Sequence, residues 1–183
     1  PEGPSQFDCD YVYGEGVVNV INGTQKWIVP QTGIYQLEAG GAKGGGINGG
    51  NGATMSGSVE LIAGTELNIV IGQRGGVSNQ CEGSAGLDEV DCCGGGGGAT
   101  ALYILGESLP LLVLAGGGGQ AQNALGGHGD IAADPTTGSG TGSGAGGIGG
   151  QGGEGGEDFW DFSTGGGGAG WNSDGQDGLY IRN

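Results

Sequence analysis

The stretch GGIGGQGGEGGE, residues 146–157, is four copies of a three-residue unit with two glycines in each. Each glycine in a helix costs about 1 kcal/mol relative to alanine, so the segment is not helical. As a strand it has too few side chains to pack. A period of three fits an extended left-handed helix of the polyproline II type, with three residues per turn and no internal hydrogen bonds. Its N–H and C=O groups then need partners outside the helix. Glycine on two of three faces lets other backbones approach to provide them. The alternatives are a bundle of packed polyglycine helices and a flexible glycine linker. The repeat read as one rod places Ile148, Gln151, Glu154 and Glu157 along a single outward face.

Working outward, the 183 residues include 52 glycines, far above the roughly 7% of ordinary proteins. Five prolines and no strict triplet period exclude collagen. Hydrophobic residues make up 34% of the chain and cluster in short runs such as 67–71 and 109–114, enough for one modest core and one domain. Residues 1–16 read as an extended N-terminal arm. Residues 17–115 and 178–183 supply most of a β-sandwich with glycine insertions, and 116–177 form a polyglycine-rich section.

The strand signals are short and evenly spaced. Residues 17–21 and 25–29 flank Asn22-Gly23, a strong hairpin turn signal. Alternation over 34–39 gives a half-buried strand. Residues 58–63 and 66–71 form the next pair, joined across Ala63-Gly64-Thr65. Residues 99–105 lead into 109–115, whose consecutive large apolar side chains predict burial on both faces. Residues 179–182 supply a last strand. No helical periodicity is present, so the expected class is all-β, an antiparallel jelly-roll sandwich. Most glycine tracts begin or end at a strand. Strands deliver the chain at fixed places and directions, which lays the tracts side by side as a bundle of polyglycine II helices.

Charge limits the partners. The formal net charge is −16 with four basic residues, which argues against nucleic acid and against anionic membrane surfaces. No apolar run is long enough to span a bilayer. Four cysteines and one histidine suit disulfides in an oxidising compartment better than zinc, so the expected location is extracellular, secreted or on a cell surface. Adjacent Cys92 and Cys93 pair separately, one with Cys81 across a short loop and the other with Cys9. Asn22 opens the sequon Asn22-Gly23-Thr24 and is the candidate glycan acceptor.

At this point the order of blocks resembles the glycine-rich extracellular domain of the anaplastic lymphoma kinase and leukocyte tyrosine kinase receptors. The blocks are GPSQFDC (3–9), QKWIVPQTGIYQLEAGGAKGG (25–45), LNIVIGQRG (67–75), GGGGGATALYI (94–104), LLVLAGGGG (111–119) and GGGGAGWNSDGQDG (165–178). Similar domains occur in bacterial surface proteins and phage tail-tip adhesins. The resemblance implies a tumour-necrosis-factor-like sandwich carrying a polyglycine-helix bundle, with a binding role and no catalysis.

The residues themselves also give no enzyme. His128 lies in a Gly-Gly-His-Gly-Asp tract, and no serine sits in a nucleophile elbow. No phosphate-binding GxxxxGK[ST] is present. Asn172, Asp174 and Asp177 space oxygen side chains around a turn glycine, and calcium is the cation such an array would take; no other cofactor is expected. Phe159, Trp160 and Phe162, flanked by Asp158 and Asp161, read either as an interface anchor or as a plug over the bundle. The expected role is a structural module that self-assembles into a fibre or layer through β-edges, the N-terminal arm and glycine-helix faces. The alternative is a recognition module for a protein ligand or cell surface.

Overall fold

The structure, a computed structural model, describes residues 3–77, 93–121, 124–130, 138, 142–148, 151–156, 164–170 and 173–178. The strand expected over 179–182 lies outside them. Described strands are β1 (Val18–Ile21), β2 (Thr24–Ile28), β3 (Gly33–Gly40), β4 (Thr54–Leu61), β5 (Glu66–Val70), β6 (Thr100–Ile104) and β7 (Leu112–Leu114). One antiparallel sheet runs β1-β2-β5-β6-β7, and β3 and β4 form a second. Asn22 (φ 50°) and Gly23 (φ 75°) close the β1–β2 hairpin in the left-handed conformation that a two-residue turn of this hand requires. Residues 62–65 cross between the sheets: β4 pairs with β3, whereas β5 pairs with β2 and β6, so the expected 58–71 hairpin does not form.

Val29, Leu61, Leu67 and Leu102 are the buried centre between the sheets. Trp27 and Tyr35 meet edge to face across them, ring centres 5.7 Å apart. The class is all-β with a two-sheet core, as expected. The 109–115 segment departs from expectation. Only Leu112–Leu114 is strand, at the end of the sheet, and Leu109 and Leu111 are exposed. An edge position leaves one side of that strand without a neighbour to bury it.

The N-terminal arm is not extended. Gln6–Tyr13 is a helix, α1. Ser5 accepts the Asp8 N–H while Asp8 accepts the Ser5 N–H, a reciprocal cap that satisfies two of the helix's orphan donors. Gly14 (φ 93°) ends it, donating to the Asp10 carbonyl. Gln6 docks the helix on the sheet: its amide donates to Val18 O (2.9 Å) and its carbonyl accepts from Val20 N (2.8 Å). One carboxamide thus occupies the backbone groups that a further strand would have used on the edge of β1.

Glycine tracts extend the hairpins without a change of register. Beyond the last β3–β4 pair, Gly40 with Thr54, come bonds from Gly41 to Ala53 and from Gly44 to Gly50. Beyond β5–β6, Gly98 donates to Gln73 and Gly95 to Gly76. Beyond β6–β7, Gly97 donates to Gly117 and Gly94 to Gln120. Each tract bonds to a given neighbour at every third residue. Thr100 stitches the junction, its hydroxyl accepting from Gly72 N and donating to Gly40 O.

Candidate functional site

The glycine layer is the part of the chain with the most distinctive chemistry, and residues 116–120 lie at its centre. Their N–H groups turn through three directions in sequence. Gly116 and Gly119 donate to Ala169 and Gly166, Gly117 and Gln120 to Ala42 and Gly45, and Gly118 to Gly127. Their carbonyls serve three other tracts in the same rhythm. Ala115 and Gly118 accept from Ala53 and Gly50, Gly116 and Gly119 from Gly147 and Gly144, and Gly117 and Gln120 from Gly97 and Gly94. At many of these glycines no side chain would fit between the bonded backbones. A Cβ on Gly117 would overlap the Gly50 carbonyl, and one on Gly44 would overlap that of Gly118.

The 146–157 repeat is two tracts rather than one rod. Ile148 and Gln151 exchange both backbone hydrogen bonds, and Ala145 donates to Glu154. Ile148 and Gln151 are thus paired antiparallel. The tract beginning at 151 then binds a different neighbour, with Gly153 donating to Gly168 and Gly156 to Gly165. Gln151 and Glu154 are exposed and Ile148 is half-buried, while Glu157 lies outside the described residues. The uniform GGx pattern repeats Gly-Gly in every unit, so nothing in it singles out where one tract ends and the next begins.

Several side chains at the tract ends hold neighbouring backbone in place. Gln120 is completely buried and accepts the Asn48 N–H at 2.6 Å. Lys43 donates to Ile47 O and Arg74 to Gly46 O, so both cations hold the loop that joins tracts 41–45 and 49–53. Lys26 pairs with Glu66 at 2.8 Å. His128 accepts the Asn51 N–H on Nδ1, a role in tract pairing that its sequence context did not suggest.

Of the residues singled out above, Asn22 is exposed in its hairpin turn, as a glycan acceptor must be. Cys9 is not in a disulfide. It is a buried free thiol on α1, directed at Gln25 Oε1 at 3.7 Å, because the arm folds as a helix onto the sheet. Burial, then the charges of Asp8 and Asp10, push that thiol above its usual range. Cys93 is buried, and Cys81 and Cys92 lie outside the described residues. So do Phe159, Trp160, Phe162 and Asn172. Asp174 and Asp177 are exposed on tract 173–178. Among the described residues, no three His, Cys, Asp or Glu side chains converge to hold a metal. No described helix is long and apolar enough to cross a membrane.

A groove of about 760 Å³ runs beside tract 94–98, walled by residues 76–77, 164–169 and 174–178. Its lining is mostly glycine backbone. Sequence reasoning had no signal for it, because it depends on which tracts become neighbours. No protein-family model matches the chain.

Proposed function

We propose that this chain is a non-catalytic, extracellular structural module that self-assembles. In this reading a tumour-necrosis-factor-like jelly roll carries a bundle of polyglycine II helices. The observation that carries it is the three-residue recurrence of hydrogen bonds around residues 116–120, with donors and acceptors directed at tracts on all sides. A β-ladder would alternate at every second residue and serve two neighbours. Such a bundle presents rigid backbone faces, which suit cohesion between molecules better than the side-chain placement catalysis needs. Exposure of the Asn22 sequon supports the extracellular setting.

Gln6 occupies the β1 edge within the chain, so the arm as folded is not an extended strand offered to a neighbouring sheet. Glycine faces and the remaining sheet edges are the surfaces left for assembly. Negative-stain microscopy of native material, with and without a calcium chelator, tests the reading. Regular fibres or layers are expected. A particle that stays monomeric at every concentration overturns self-assembly.

The second reading is recognition of a protein ligand, and α1 favours it. Phe7 and Tyr11 are 77% and 84% exposed beside Asp8 and Asp10. Exposed aromatics on a docked helix are the kind of group that anchors an interface. A monomer with one saturable protein ligand would replace the first reading with this one.

A further inference from the structure

The outer face of the five-stranded sheet holds a buried amide that is not hydrogen-bonded. Asn68 on β5 is 3% exposed, and its Nδ2 has no partner among the described residues. Native proteins rarely leave such a group unpaired, because burying it without a partner is costly. Strand alternation turns Asn68 away from the core side chains Leu67 and Ile69 that flank it. Directly opposite it stand Lys26 on β2 and Tyr103 on β6. The Cβ atoms of opposed residues lie about 5 Å apart, a distance that a lysine side chain spans with ease. Lys26 Nζ is held 2.8 Å from Oε1 of Glu66, which lies two residues before Asn68 and on the same face. Because Glu66 is itself opposite Ile28, the Lys26 side chain leans along the ladder from the position of Asn68 to that of Glu66. An amine, a carboxylate and a buried primary amide are thus gathered on one patch of sheet.

We propose that Lys26 and Asn68 join in an intramolecular isopeptide bond, Nζ to Cγ, with Glu66 carrying the proton. Glu66 takes one proton from the Lys26 ammonium, and the freed lone pair on Nζ attacks Asn68 Cγ. As the Cγ–Nδ2 bond breaks, its electron pair stays on nitrogen. That nitrogen collects one proton from Glu66 and one from Nζ, and leaves as ammonium. A primary amide is exchanged for a secondary one, so no oxidant, reductant or cofactor enters. Two paired strands hold the nucleophile and the electrophile in register, which replaces a bimolecular encounter by an intramolecular one. The carboxylate already touches the atom that must lose a proton. Once formed, the bond ties β2 to β5, the central strand of the sheet, whether or not copies of the chain assemble.

Mass spectrometry of the intact wild-type chain under reducing conditions is expected to give a mass one ammonia below that calculated from the sequence. Trypsin should then fail to cut after Lys26 and leave residues 1–43 joined to 44–74 in one branched peptide. Neither measurement needs a variant. Glu66→Gln keeps the shape of the side chain without its proton acceptor, and should slow formation of the bond about a hundredfold. Asn68→Ala should show its full calculated mass. A wild type at full calculated mass overturns the proposal. Loss of ammonia with normal cleavage after Lys26 also overturns it, because that pattern belongs to an asparagine cyclised onto its own backbone. Glu66→Gln that crosslinks as fast as the wild type overturns the part given to Glu66.

Discussion

At Gly117 a single methyl group decides whether two backbones can meet. The added Cβ would collide with the Gly50 carbonyl, which is fixed by its own hydrogen bonds and cannot yield as a side-chain end would. Gly117→Ala should therefore cost about 3 kcal/mol or more in chemical denaturation, the upper range for overpacking. Gly95→Ala, where the space is open, should stay within about 0.5 kcal/mol of wild type. Equal effects would mean that the tracts are not packed as described. Cys9 gives a second residue-scale expectation. A thiol held above its usual range by burial favours the folded state while protonated. That contribution is complete below the unfolded thiol's pKa and fades as pH rises through the folded one. Thermal melts should show stability falling on the alkaline side of neutrality, and Cys9→Ala should flatten the decline.

Among the elements, α1 and the 145–154 pairing show where the sequence could and could not be read. The Asn22-Gly23 turn, the strands flanking it and the alternation through β3 carry their own local signals, and the structure follows them. The α1 helix has a legible cap in Ser5 and Asp8, but buries only Cys9, so no hydrophobic period marks it. Its stability comes from the cap and from Gln6. Ser5→Ala should cost about 1 kcal/mol, and Gln6→Ala about 1–2 kcal/mol because two backbone partners on β1 are lost. Gln6→Ala should also raise aggregation by baring the β1 edge, measurable by light scattering. In the 145–154 pairing, Gly152→Val would strike the Asp174 carbonyl and should be strongly destabilising, whereas Glu154→Gln, on an exposed side chain, should be nearly silent in the same melts. Which tract sits beside which was not legible. Glycine removes the side-chain differences by which one neighbour is told from another, so the strands at the tract ends make that choice.

For the molecule as a whole, charge and backbone act on different parts. Three of the four basic residues, Lys26, Lys43 and Arg74, are held in internal bonds, so the net charge of −16 is poorly offset at the surface. Added salt should raise the melting temperature by screening self-repulsion, until the Debye length falls to about 3 Å near 1 M. A melting temperature that falls with salt would place the decisive electrostatics in attractive pairs instead. The register that passes unbroken from sheet to glycine layer has a further consequence, for how such a chain can change length. Because donors return to the same neighbour only at every third residue, one extra glycine between Gly117 and Gly118 would turn all later N–H groups by a third of a turn. Three extra glycines would restore the phase and move the following chain along by one repeat. Insertions and deletions in these tracts should thus be tolerated in threes, making the triplet the unit in which the molecule can be lengthened.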